Sequence, residues 1–123
     1  MGDHTEVSQL VFKASFAATV PHYEPQLGEA CEVVPIFCMD NAALLNCEPT
    51  EYVDITEELE TKLEMLRCHE SQLTWLQDHD DNDIIESTRI YARLRGIQSG
   101  VKYAEGFRQC RIDHRIATKR LLP

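Results

Sequence analysis

No stretch of the 123-residue chain stays apolar over the roughly 18–20 residues that a spanning helix needs, so no membrane partner is expected. The start of the chain also lacks the basic-then-apolar pattern of an export leader, which points to a cytoplasmic protein. Basic residues are scarce: 12 Lys and Arg stand against 21 Asp and Glu, a net charge of −9. Nucleic-acid affinity rests on clustered Lys and Arg, so nucleic acid is not an expected partner either. Cysteines at metal-binding spacing are missing as well. The five present (Cys31, Cys38, Cys47, Cys68 and Cys110) are odd in number and contain no C-x-x-C. That pattern indicates neither a zinc ribbon nor a disulfide framework. In a reducing compartment such thiols are expected to be reduced and mostly buried.

What is present fits a soluble globular chain, 43% hydrophobic and 27% charged, with length for one domain over 1–123. The charge is polarised. Residues 1–86 hold 19 acids and 3 bases, whereas residues 87–123 hold 2 acids and 9 bases. Such a split can hold two halves of one fold together, or lay a basic tail (112–123) on a neighbouring subunit.

Periodicity predicts a helix over 5–19, where Val7, Leu10, Val11, Ala14 and Ala18 recur at helical spacing and Phe12 and Phe16 add a second apolar flank. Pro21 ends it, and 21–29 reads as a loop. Residues 32–39 (EVVPIFCM) read as a strand, confined to a sheet edge or bulged by Pro35. Asp40 and Asn41 follow its C-terminal end, where open α/β sheets gather ligand-facing groups. A second strand is expected over 52–55. A helix over 56–76 should carry the stripe Ile55, Leu59, Leu63, Leu66 and a Glu58–Lys62 pair. A third helix over 83–98 should turn Ile84, Ile85, Thr88, Tyr91 and Leu94 inward, its end marked by Gly96 and Gly100. A last strand falls within 101–110.

Local chemistry is sparse. Asp78, Asp80, Asn82 and Asp83 resemble an oxygen-rich calcium loop but lack its turn glycine and distant glutamate, so a turn capping the next helix is preferred. Cys68 and His69 are adjacent, and adjacent helical side chains point about 100° apart rather than into one site. Asp3-His4 at a helix start has the make-up of a carboxylate–histidine metal arrangement, but taken alone His4 reads as a surface residue.

Several stretches together resemble the C-terminal part of the LmbE-like, or PIG-L, zinc-dependent N-deacetylases. They are DHTEVSQLV (3–11) with ASF (14–16), PIFCMDN (35–41), YVDIT (52–56), ETKL (60–63), HESQ (69–72) and GVKYAEGFR (100–108). They occur in the family's order and cover nearly the whole chain. The family's first hallmark, A-H-P-D-D-x-E, supplies a histidine and an aspartate to zinc and a further aspartate as base; it is absent here. Of the second hallmark, H-P-D-H, Asp3 and His4 match the latter half, with Met1 and Gly2 in place of His-Pro. The resemblance thus assigns His4 as one zinc ligand, where a catalytic zinc needs about three.

These readings imply an α/β fold: a truncated Rossmann-like, LmbE-like C-terminal half with about three helices and a small sheet, completed by oligomerisation. The isolated chain is expected to bind no cofactor, zinc being the family's metal. It is expected to act as a homo-oligomeric structural or binding protein. The alternative is one half of a zinc-dependent N-acetyl amino-sugar deacetylase whose N-terminal half is a separate chain. His4 is the candidate metal ligand; Asp3, Asp40 and Asn41 are candidate pocket residues.

Overall fold

The computed structural model describes residues 2–41, 44, 46 and 48–112. Apart from Ile112, the basic tail lies outside them, as does Cys47. The described residues form two compact units, one holding 2–36 with 110–112 and the other Phe37–Gln109.

The first unit contains α1 (Gly2–Ala17), the helix expected over 5–19, begun one turn earlier with Asp3 in its first turn. Its end tightens as the Thr19 and Val20 amides donate to the carbonyls of Phe16 and Ala17. The loop then passes through a 3-10 turn (Pro25–Leu27) and returns, the Cys31 amide donating to Ala18. No residue of α1 is buried; Val7, Leu10, Val11 and Phe16 are all exposed.

The second unit is an antiparallel three-stranded sheet packed with helices. Its strands are β1 (Phe37–Met39), β2 (Glu51–Asp54) and β3 (Ala104–Gln109), in spatial order β1-β3-β2. Phe37 pairs with Gln109 and Met39 with Phe107 on one side, while Glu51 pairs with Phe107 and Asp54 with Ala104 on the other. β1 lies at a sheet edge, but it starts only after Pro35, so the strand expected over 32–39 is shortened to three residues and the proline lies outside the ladder.

Three helices complete the unit: α2 (Leu59–Arg67), α3 (Glu70–Asp80) and α4 (Ile84–Ser99). The single helix expected over 56–76 is therefore two, giving four helices among the described residues rather than three. No glycine or proline marks the break. The chain turns at Cys68 and His69, whose amides donate to Met65 and Leu66, three residues back. The apolar stripe does lapse there, because Glu70 stands where it would continue before Leu73. Thr56 does not start α2. Its amide donates to Asp54 Oδ1 at 2.9 Å, and the Thr56 hydroxyl and amide hold the Asp54 carboxyl below its usual range.

Ile55, Leu59 and Leu63 form the core with Ala92, and Val53, Ile85 and Tyr103 pack against it. Lys62 pairs with Glu105 of β3 instead of with Glu58, tying α2 to the sheet. Arg89 Nη1 donates to Glu60 Oε1 at 2.8 Å, and this guanidinium lowers the Glu60 pKa. With the folded value depressed, that contribution is present above the ordinary glutamate range and is lost as pH falls through the lowered value.

Asp83 caps α4, its Oδ1 accepting from the amides of Ile85 and Glu86, so the acidic run is a capping turn. Ile84, Ile85, Thr88 and Tyr91 of α4 are half-buried as expected, and the inward face departs from expectation at Leu94. Ala92, Arg95 and Gly96 are buried, whereas Leu94 is 41% exposed. Size decides the face. A Cβ on Gly96 would meet the Lys102 carbonyl oxygen at 2.5 Å, so only a glycine lets the helix lie against the 101–102 backbone. Gly96 therefore marks a close approach; Gly100, with φ +80°, ends the helix.

Thiol burial is also corrected. Cys31, Cys38 and Cys68 are free and exposed, and Cys110 is half-buried and free. Their positions, in a loop, on an edge strand and after a short helix, leave little chain to cover them. Among the described residues no helix is long and apolar enough to cross a membrane.

Candidate functional site

Asp3 and His4 lie in the first turn of α1, His4 Nε2 standing 3.7 Å from Asp3 Oδ2, with both side chains exposed. Asp40 and Asn41 follow β1 in the other unit. Asp40 is not an open carboxylate. Arg95 of α4 grips it with two parallel bonds, Nε to Oδ2 at 2.7 Å and Nη2 to Oδ1 at 2.9 Å. Such a fork is the strong form of this contact.

The grip extends into a small polar network. Arg95 Nη1 donates to Gln98 Oε1 at 2.8 Å, and the Tyr52 hydroxyl of β2 approaches the same oxygen at 3.5 Å. Below it, Gly106 of β3 leaves room: a Cβ there would meet Asp40 Oδ2 at 2.6 Å and the Pro49 ring at 2.5 Å. Three strand segments and α4 thus converge on one buried ion pair. Its chemistry is that of a clamp, because both carboxylate oxygens are committed to the guanidinium.

Sequence reasoning missed Arg95, Gln98, Tyr52 and Gly106. One signal was available. Ile85, Thr88, Ala92 and Arg95 share a helical stripe, and an arginine placed on an inward stripe demands a carboxylate.

Two shallow grooves also open on the second unit. One runs along α3, with Glu70, Thr74, Trp75, Asp78 and His79; the Trp75 and His79 rings stack at 4.8 Å between centroids. The other lies along the β2 edge beside Ser99 and Val101. Neither is lined by Asp3, His4, Asp40 or Asn41.

The donor set does not fit a zinc centre. Among the described residues no three His, Cys, Asp or Glu side chains are placed to hold a metal ion, and His4 has Asp3 beside it within ion-pairing range.

The described residues define an α/β protein with a small antiparallel sheet. No family model matches the chain. Among solved structures it is similar to GalB, the 4-carboxy-2-hydroxymuconate hydratase from Pseudomonas putida KT2440, with a TM-score of 0.72 and 21% sequence identity. The match covers 97% of this chain and 49% of that one, so the chain spans about half the length of the hydratase. At that identity the likeness is one of fold.

Proposed function

We propose that these residues are the C-terminal portion of an LmbE-like, Rossmann-related fold that does not catalyse alone and serves as a structural or binding component of a homo-oligomer. The observation that carries this reading is the donor set: His4 and Asp3 sit on an exposed helix turn, and the residues described bring no further metal ligands to them. The match to half of a larger enzyme supports an α/β fold shared with part of that enzyme. The uncovered apolar residues of α1 support association.

The same match favours one alternative, in which residues outside these 123 complete an active centre and His4 supplies one ligand. The neighbour's name widens its chemistry. A hydratase adds water across a double bond, whereas a deacetylase adds water to an acetamide carbonyl, so water is the common co-reactant.

An assay of the tag-free chain with added zinc on N-acetylglucosamine derivatives tests the reading. The expected result is no turnover above background. Turnover that disappears in His4→Ala would overturn it.

A further inference from the structure

The exposed face of α1 carries a charge pattern that selects its partner. The helix is 16 residues long, about 24 Å at 1.5 Å per residue. At about 100° per residue, Val7, Leu10, Ala14 and Ala17 fall on one stripe with Asp3 at its N-terminal end, bordered on one side by His4 and Val11 and on the other by Glu6 and Lys13. Val7, Leu10 and Val11 are 58%, 60% and 48% exposed. Glu6 and Lys13 are exposed too, and neither has an ion-pair partner among the described residues. Seven positions apart on one helix, they lie two turns from each other and do not pair within the chain.

We propose that this face is a self-association seam, in which α1 packs antiparallel against α1 of a second copy about a two-fold axis. In antiparallel helix pairs the two like borders face each other; in parallel pairs each border faces the opposite one. Antiparallel packing therefore brings Glu6 of each copy to Lys13 of the other, with Val7 of each over Leu10 of the other. Two-fold symmetry makes every contact twice. A parallel pair would set Glu6 and Lys13 against the Val11 border and leave both charges unmatched.

The seam rests on the oligomeric reading above and specifies its partner and geometry. One stripe on so short a helix covers less than the roughly 800 Å² per partner of a standard interface, so a weak, reversible association is expected.

Sedimentation equilibrium of the 123-residue chain at low salt, across a micromolar concentration range, tests the proposal. The wild type is expected to reach a dimer. Glu6→Lys and Lys13→Glu should each raise the dissociation constant about tenfold, because each places like charges across the seam twice. The doubly reversed variant should return to within about threefold of wild type, since it restores both pairs with their signs exchanged. It also serves as the folding control. A dimer indifferent to the single reversals, or not recovered by the double, would overturn the seam and leave the oligomeric reading standing. A wild type that stays monomeric throughout would overturn both.

Discussion

Asp40→Asn is expected to destabilise the second unit by about 3–5 kcal/mol, the loss typical when one partner of a buried ion pair is removed. The Arg95 side chain is 7% exposed and that of Asp40 is 16% exposed, so neither is well solvated once separated. The neutral amide can accept one guanidinium bond, but it turns its own donors toward the second and brings no charge. Arg95→Met should be damaging too, since it strands the carboxylate beneath α4. The two changes together should cost less than their sum, because the double variant leaves no buried charge unpaired. Trp75, the chain's single tryptophan, lies in the same unit and reports its unfolding in urea. A loss below about 1 kcal/mol for Asp40→Asn would place the pair among solvated surface bridges and contradict the clamp.

Gly96→Ala should destabilise by about 1–3 kcal/mol, as overpacking does, although the same change in an exposed helix interior stabilises by about 1 kcal/mol. The sign is the test. The added methyl would lie 2.5 Å from the Lys102 oxygen, 2.7 Å from its carbonyl carbon and 2.8 Å from the Val101 oxygen. All three are backbone atoms, which cannot swing aside as a side chain can. Relief requires α4 to move off the 101–102 segment, disturbing Ala92 and Arg95 on the same face. A stabilising Gly96→Ala in thermal unfolding would show that α4 does not approach this closely.

The contrast between these residues shows what the sequence could reveal. Elements governed by one local rule were legible. Asp83 capped α4, and the Ile55–Leu59–Leu63 spacing identified the core. Features set by tertiary fit were not. Leu94 fits an apolar pattern better than Gly96 does, yet the absence of a side chain at Gly96 fixes which face of α4 turns inward. The α2–α3 break has no punctuating residue, only a lapse in the stripe at Glu70. Lys62 had an acidic neighbour one turn away and paired instead with Glu105, 43 residues on in the chain.

The candidate site divides in the same way. Asp3 and His4 were recognised from a motif, which records residue types without surroundings, and they prove to be exposed in the first turn of α1. Asp40 was singled out by its place after a strand, a rule of position. Its partner Arg95 lies 55 residues away, beyond the reach of any local pattern.

Calorimetric titration of the tag-free chain with zinc decides whether these residues assemble a metal centre by themselves. One histidine and an adjacent aspartate on an exposed turn make no tripodal site, so no stoichiometric binding at micromolar affinity is expected. One zinc per chain bound at micromolar affinity, and lost in His4→Ala, would show that His4 belongs to a working metal centre.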